Sequence, residues 1–349
     1  MLGITRRAAR FACRRESFGS EEVWINKISM AIKIALLLLL IIVACGIAFS
    51  AFFVMRPLAV IVWFRRLALR FAGFTKAIVQ TSVGKQTVWR GGSGPLLVLL
   101  HGAGDQAGTW HKVAPELKQR FELVIPDLAG HGESEPRTGA LSVGTVLSAI
   151  EQVCDAALPA DTPVVLIGNS FGAWVAMLYA QKHPERVTRV VVMGGGPIKE
   201  ATEIDLMPKT REAAAQIMDK VLDPSSPRPP GFILDDLIRT SNFGPISRLA
   251  AAGVPDMCKY VMEDKLGGFP VPVDLVWGSS DRLALLEYAK RMQGQLPRST
   301  LTVIERCWHA PQLERPGELL KVLVKMLAAD SVGAPASEAS VSVRPKANS

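Results

Sequence analysis

The sequence predicts an α/β fold: a doubly wound, mostly parallel sheet with a helical cap insertion and an N-terminal transmembrane helix. Three observations carry this prediction. Apolar, β-branched runs alternate with helical patterns through most of the chain, residues 197–268 interrupt that alternation, and a long stretch near the start has no charge. Alternating strands and helices are typical of a parallel sheet that is covered by helices on both faces.

The uncharged stretch extends from Ile34 to Met55. As a helix its 22 residues would measure about 33 Å, enough to cross a hydrocarbon core of about 30 Å. We interpret it as an uncleaved anchor. A signal peptide that starts at Met30 and is cleaved before Cys45 is the rival interpretation, but apolar residues continue past Cys45. Basic residues flank the stretch on both sides, so the side of the membrane stays unassigned.

Residues 56–76 form a predicted juxtamembrane segment. Pro57 ends the first helix, and residues 58–74 then combine large apolar side chains with Arg65, Arg66 and Arg70. This pattern is typical of an amphipathic helix in the headgroup region of a membrane. A helix packed on the globular domain would have the same pattern, so both interpretations remain open.

The charge of the chain is concentrated at its N-terminus. Residues 1–76 carry 12 Lys and Arg against 3 Asp and Glu, whereas the remaining residues carry 28 against 29. A nearly neutral globular part argues against nucleic acid as its partner. A basic N-terminal segment favours contact with an anionic membrane surface.

Seven apolar runs are predicted strands, and five helical patterns separate most of them. The predicted strands are residues 85–89, 96–100, 121–125, 164–167, 187–193, 271–277 and 300–304, and the predicted helices are 109–119, 143–157, 171–182, 283–295 and 316–327. The interruption at 197–268 holds further helical stretches at 209–222, 231–240 and 256–265. We interpret it as a cap above the carboxyl ends of the strands, where ligands bind in open α/β sheets.

The segment Gly168-Asn169-Ser170-Phe171-Gly172 has the pattern G-x-S-x-G and directly follows an apolar strand. This pattern is typical of a sharp strand-to-helix turn that strains the backbone of the serine and exposes its hydroxyl. A serine hydroxyl is a weak nucleophile unless a base activates it. Ser170 is therefore the candidate nucleophile, and the sequence must also supply a base and a carboxylate.

Position along the chain selects these two partners. Of the five histidines, His309 follows the last predicted strand and so belongs to the same edge of the sheet as Ser170. Asp281 directly follows the preceding strand. The order Ser170, Asp281, His309 is the nucleophile, acid and base order expected of this turn. Asp127 also follows a strand, but it precedes the serine, and we expect it to accept backbone N–H groups in its own turn.

An oxyanion needs two hydrogen-bond donors in such a site. The backbone N–H of Phe171 is one candidate because it directly follows the nucleophile. The loop His101-Gly102-Ala103-Gly104 follows the first parallel strand, and we expect Ala103 to supply the second. His101 and His131 lie beside glycines in tight turns at this edge, where stabilising the turns is their expected role.

Residues 80–328 resemble the α/β-hydrolase superfamily. The resemblance rests on the loop at 101–104, the segment from Asp127 to Ser134, the turn at Ser170, and Asp281 and His309 in that order. A serine nucleophile is unlike the epoxide hydrolase and haloalkane dehalogenase branches, which use aspartate. An anchor followed by a capped hydrolase is similar to the monoacylglycerol lipase and esterase branch. The loop at 101–105 is also similar to that of hydrolases that cleave carbon–carbon bonds in ring-fission products.

The sequence thus predicts a membrane-anchored serine hydrolase of carboxylic esters with apolar acyl chains, with no metal or organic cofactor and no nucleic-acid partner. Carbon–carbon hydrolysis and ligand binding without catalysis are the alternatives. The predicted segments are a basic N-terminus (1–33), the transmembrane helix (34–55), the juxtamembrane segment (56–76), the hydrolase core (77–196 and 269–328), the cap (197–268) and a disordered tail (329–349).

Overall fold

The computed structural model describes residues 5–159, 162–199, 205–221 and 228–331. The chain divides into two compact units, Met1–Pro57 and Leu58–Ser349. Within the predicted tail, residues 329–331 belong to the last helix, and residues 332–349 lie outside the described residues.

The first unit contains helix α1 (Thr5–Met55). Its part from Ser29 to Met55 is long and apolar enough to cross a membrane, and the side chains of this part are exposed. The predicted transmembrane helix, 34–55, lies inside this part. A signal sequence near the N-terminus can meet the same criteria of length and composition, so the helix is consistent with both interpretations of the sequence.

The second unit is built on a mostly parallel sheet of eight strands within the described residues. Their order across the sheet is β1-β2-β4-β3-β5-β6-β7-β8, and only the pairs β1–β2 and β2–β4 are antiparallel. The predicted fold class is confirmed. The strands are β1 (Thr75–Thr81), β2 (Gly84–Gly91), β3 (Leu96–Leu100), β4 (Glu122–Pro126), β5 (Val164–Asn169), β6 (Val187–Met193), β7 (Val273–Gly278) and β8 (Ser299–Ile304).

Helices cover both faces of this sheet. On β3, Leu96, Val98 and Leu100 pack into one core, whereas Leu97 and Leu99 pack into the other. This alternation follows from the two-residue period of a strand. The helices of the unit are α2 (Pro57–Phe71), α3 (Ala114–Leu117), α4 (Val143–Ala157), α5 (Phe171–Lys182), α6 (Arg211–Val221), α7 (Gly231–Phe243), α8 (Pro245–Ala252), α9 (Val254–Cys258), α10 (Leu286–Gln295), α11 (Pro311–Glu314) and α12 (Pro316–Ser331).

Two predicted helices are wrong. The segment 109–119 is not one helix but a 3-10 turn followed by the single turn α3, because Pro115 has no N–H to donate to the preceding turn. The segment 256–265 is helical only to Cys258. Beyond it, the Met262 N–H donates to the Pro197 carbonyl at 2.7 Å, which draws the chain out of the helix.

Four helices, α6 to α9, lie within the predicted cap, residues 197–268, between β6 and β7. Residues 200–204 and 222–227 of that segment lie outside the described residues. Side chains tie the segment to the sheet unit: the Arg248 guanidinium donates to the carbonyls of Gly130 and Gly139. The Trp174 indole N–H on α5 donates to the Tyr260 carbonyl at 2.9 Å.

Helix α2 packs on the rest of the second unit. Leu69 is buried, and Val60, nine residues away and therefore on the opposite side of the helix, is buried as well, whereas Trp63, Phe64 and Phe71 are more than half exposed. The helix is thus packed on the globular domain, as one of the two interpretations expected, and these three aromatic side chains form an apolar surface that the domain leaves uncovered.

Candidate active site

Ser170 lies at the turn between β5 and α5, in the middle of the sheet. Its backbone has φ 54° and ψ −120°, a conformation that residues other than glycine rarely adopt. The Ser170 N–H donates to the Met193 carbonyl on β6 at 2.7 Å, which fixes the turn to the neighbouring strand. The strained backbone that the G-x-S-x-G pattern predicts is present.

The glycines around Ser170 leave no room for a side chain. A Cβ at Gly168 would lie 2.5 Å from the Ala173 backbone, and a Cβ at Gly172 would lie 2.4 Å from the Leu100 carbonyl oxygen. Both distances are shorter than any normal contact. Helix α5 therefore packs directly against β5 and β3, and any larger residue at either position would displace the serine.

Asp281 and His309 meet at the carboxyl ends of β7 and β8. The His309 Nδ1 lies 2.9 Å from the Asp281 Oδ2, and the carboxylate is fully buried. The other carboxylate oxygen accepts the N–H groups of Leu283 and Ala284, at 2.8 and 2.9 Å. A carboxylate held in this way orients the imidazole and places the proton on Nδ1, which leaves Nε2 as a hydrogen-bond acceptor.

Two consecutive glycines after β6 connect this pair to Ser170. A Cβ at Gly194 would lie 3.2 Å from the His309 ring, and a Cβ at Gly195 would lie 2.8 Å from the Ser170 Cα. The Asn169 side chain also donates to the His309 carbonyl at 3.0 Å. Ser170 and His309 thus lie beside the same two glycines, and Asp281 joins them through its contact with the His309 ring.

The two expected oxyanion donors lie beside the serine. A Cβ at Gly102 would lie 3.2 Å from the Ser170 Cβ, so the loop that carries Ala103 contacts Ser170 directly. In the described part of the chain, the N–H groups of Ala103 and Phe171 have no hydrogen-bond partner. Both residues are half-buried, so a ligand in the site would find two available donors.

A sequence profile of the Alpha/beta hydrolase family matches residues 97–322, which is most of the sheet unit and includes every residue of the site. The chain belongs to this family. As a family member it combines a mostly parallel sheet with a serine at the turn between β5 and α5.

Relatives of this α/β-hydrolase include lipases. Monoacylglycerol lipase ABHD6 of Mus musculus is 25% identical over 259 residues, which are 68% of this chain and 77% of the relative. The crystal structure of a bacterial membrane phospholipase A has a TM-score of 0.67 and 26% identity, covering 84% of this chain and 97% of that chain. A meta-cleavage product hydrolase from Pseudomonas fluorescens IP01 has a TM-score of 0.62 and 20% identity, with 73% and 98% covered, a likeness of fold alone.

Two other histidines of this α/β-hydrolase stabilise turns near the site. The His101 Nε2 accepts the Leu128 N–H at 2.9 Å, and its Nδ1 lies 2.8 Å from the Gly102 carbonyl oxygen. The His131 Nδ1 lies 3.0 Å from the Ala129 carbonyl oxygen. Burial lowers the pKa of His101, and burial together with the neighbouring His101 lowers the pKa of His131 to about 3. Both rings are therefore neutral, as suits a structural role.

The side chains that hold the His309 loop were not predicted from the sequence. The Glu314 carboxylate accepts the N–H groups of Trp308 and Ala310, at 2.8 and 2.9 Å, and so holds the backbone on both sides of His309. Behind them, the Gln312 amide donates to the Asn169 side chain at 3.0 Å. The short spacing between His309 and Glu314 was the signal available, because a Glu in the first turn of a helix can accept the backbone N–H of the residue that caps that helix.

Burial raises the pKa of Glu314, although its two backbone N–H partners act in the opposite direction. The Glu314 carboxyl group is therefore partly shielded from water, and its hydrogen bonds to the backbone are electrostatically stronger than they would be in water. Among the described residues, no group of three or more His, Cys, Asp and Glu side chains is arranged to hold a metal ion. The chemistry that the arrangement offers is that of serine, imidazole and carboxylate.

Proposed function

We propose that this protein is a serine hydrolase that cleaves carboxylic esters through an acyl-enzyme, with Ser170 as nucleophile, His309 as base and Asp281 as the carboxylate that orients the base. The hydrogen bond between His309 and Asp281, beside a serine with a strained backbone, carries the proposal. These are the groups and the order that the turn G-x-S-x-G requires.

The proposed reaction follows from the tautomer of His309. With its proton on Nδ1, the ring accepts the Ser170 proton at Nε2 as the hydroxyl attacks the ester carbonyl. The N–H groups of Ala103 and Phe171 stabilise the oxyanion, each contributing about 3 kcal/mol to lowering the barrier. His309 then gives the proton to the leaving alcohol, and a water molecule, activated in the same way, releases the acid and restores the serine.

An apolar acyl chain is the proposed substrate preference. In the predicted cap, the Ile246 side chain on α8 lies against the loop that carries Ala103. A Cβ at Gly104 of this loop would be 2.9 Å from the Ile246 Cδ1. Of the apolar residues 207, 217, 218, 232, 233 and 243 of this segment, all but Phe243 are half-buried. The names of two relatives, a monoacylglycerol lipase and a membrane phospholipase A, support a lipid-like ester.

We further propose that the apolar part of α1 is retained and anchors the enzyme in a membrane. The uninterrupted apolar sequence through Met55 supports this, since a processed protein usually becomes polar soon after its cleavage site. An anchored enzyme would meet its lipid substrate in the bilayer in which it is held.

A fluorophosphonate probe tests the proposed nucleophile. We expect the wild-type protein to be labelled, Ser170→Ala to lose the label, and Ser82→Ala to keep it, because Ser82 lies in the turn between β1 and β2. Folded wild-type protein that resists labelling would favour a protein that binds ligands without catalysis.

A substrate panel tests the reaction class. The panel combines p-nitrophenyl esters of increasing chain length with a dienoate ring-fission product, and each substrate is also assayed with Ser170→Ala. We expect Ser170-dependent hydrolysis of the esters, rising with chain length. Cleavage of the dienoate alone would replace the esterase with a carbon–carbon hydrolase, which the similarity of the loop at 101–105 keeps as the second candidate.

A further inference from the structure

Arg66 on α2 extends from the juxtamembrane helix into the loops behind the candidate oxyanion hole. Its side chain is only 15% exposed, although arginine is usually a surface residue. The guanidinium donates to the Asp127 carboxylate at 2.9 Å, to the Glu133 carboxylate at 2.9 Å and to the Gln106 side-chain oxygen at 3.1 Å. One side chain of α2 therefore joins three residues that are distant from it in sequence.

Among these partners, Asp127 depends most on a neighbouring cation, because its charge is buried. Its carboxylate is fully buried and also accepts the N–H groups of Ala107, at 2.7 Å, and Glu133, at 2.8 Å. Arg66 is the cation that pairs with it in the described part of the chain. A buried carboxylate that loses its cation is strongly unfavourable, so the surrounding backbone would have to move to let water reach it.

The loop at 101–106, which carries Ala103, is attached at both ends to this group of residues. At its start, the His101 ring accepts the N–H of Leu128, the residue after Asp127. At its end, the Gln106 side-chain oxygen accepts the Arg66 Nε and the Gly108 N–H, at 3.1 and 2.7 Å. Directly after the loop, the Ala107 N–H donates to the Asp127 carboxylate. Arg66 therefore contacts both Gln106, at the end of the loop, and Asp127, which holds the residue that follows it.

We propose that Arg66 is a positioning residue for the oxyanion hole: by pairing with Asp127 and Gln106, it holds the loop that presents the Ala103 N–H to the substrate. This inference rests on the proposed function. Arginine suits the role because its planar fork donates to several acceptors at fixed angles, which the single charged group of lysine does not. The helix that directly follows the apolar segment thereby takes part in forming the active site.

The test uses the full-length protein in detergent and a short, soluble p-nitrophenyl ester. We expect Arg66→Met to lower kcat about 10- to 100-fold, the effect of misplacing a catalytic group by about an ångström, with little change in KM. Arg66→Lys should recover part of the loss. In the double variant Arg66→Met with Asp127→Asn, the loss should be smaller than the product of the two single losses, because no buried charge is left unpaired.

Arg70→Met is the matched control, since it removes the same charge from an exposed position of the same helix, and it should keep the wild-type kcat. Hydrogen exchange provides a readout that needs no activity. The amides of residues 102–108 should exchange faster in Arg66→Met than in Arg70→Met, and α5 should be unchanged in both. If Arg66→Met alone does not fold, Arg66→Lys and the double variant carry the same comparison.

The outcomes separate this inference from the proposed function. Wild-type kcat in Arg66→Met, a change confined to KM, or unaltered exchange at 102–108 would overturn the role of Arg66 while leaving the hydrolase intact. If the wild-type protein shows no Ser170-dependent hydrolysis, the proposed function fails, and the exchange experiment alone decides whether Arg66 holds the loop.

Discussion

Two loops border Ser170, and they are held in place differently. The His309 loop is held in part by a near neighbour in sequence, Glu314, which accepts backbone N–H groups on both sides of the histidine, and the Asn169 side chain adds a hydrogen bond to the His309 carbonyl. The loop that carries Ala103 is held by Asp127 and Arg66, which come from other elements of the fold. One edge of a sheet can therefore combine a loop that is held partly by its own local sequence with a loop that is held by tertiary contacts.

The largest effect on turnover is expected from substitutions of His309 and of its partner Asp281. We expect His309→Ala and Asp281→Asn each to lower kcat by about three to four orders of magnitude, because the serine loses its base or the base loses its orientation. The measurement is steady-state hydrolysis of a p-nitrophenyl ester, with circular dichroism to verify folding.

His183→Ala is the control for that experiment, since His183 lies at the end of α5 and contacts Glu151. It should retain wild-type turnover. A folded Asp281→Asn variant with near wild-type turnover would remove Asp281 from its role and require another carboxylate to orient His309.

A smaller effect on turnover is expected from a substitution of Glu314, which holds the His309 loop. Glu314→Gln keeps the size of the side chain but turns an N–H₂ group towards one of the two backbone N–H donors. We expect kcat to fall about 10-fold, through misplacement of His309. Glu318→Gln, an exposed position on α12, should have no effect. Equal activity in the two variants would show that the His309 loop does not depend on Glu314.

This contrast also explains how much of the structure the sequence predicts. The mostly parallel sheet and the edge that gathers Ser170, Asp281 and His309 follow from regular patterns, because parallel strands place their carboxyl ends together. The bounds of β3 and α4 agree with the predicted ones because their apolar periods are uninterrupted.

Positions that depend on distant partners are the ones the sequence does not predict. Arg66 was noted only as part of a basic helix face, since nothing in the sequence near it points to Asp127. The segment 256–265 was predicted as one helix, because the hydrogen bond from Met262 to Pro197 is formed between the two ends of the inserted segment. A local sequence pattern does not predict the secondary structure correctly at positions where tertiary contacts determine it.

The two buried histidines near the Ala103 loop predict a pH dependence of stability. The pKa of His131 is lowered to about 3 in the folded protein, whereas an unfolded histidine takes up its proton near pH 6.5. Between these values the unfolded state binds the extra proton, so stability is full above pH 6.5 and falls as the pH decreases. The slope is at most about 1.4 kcal/mol per pH unit for each such histidine.

His131→Phe should therefore reduce the loss of stability between pH 7 and pH 5, measured from denaturant unfolding at each pH. A uniform destabilisation by the larger ring would not alter this slope. An unchanged slope in His131→Phe would mean that His131 takes up its proton at the same pH in the folded and the unfolded protein.

The smallest effect on turnover is expected from removal of residues 1–56. Every residue that holds either loop, from Arg66 to Glu314, lies in the second unit of the chain, and α2 remains from Pro57 onwards. The shortened protein should hydrolyse a short soluble ester at nearly the wild-type rate but should bind less to lipid vesicles in a flotation assay, because the long apolar helix is gone. A folded shortened protein that is inactive on that ester would show that residues 1–56 also support the active site, and the distinction between local and distant support would then have to include them.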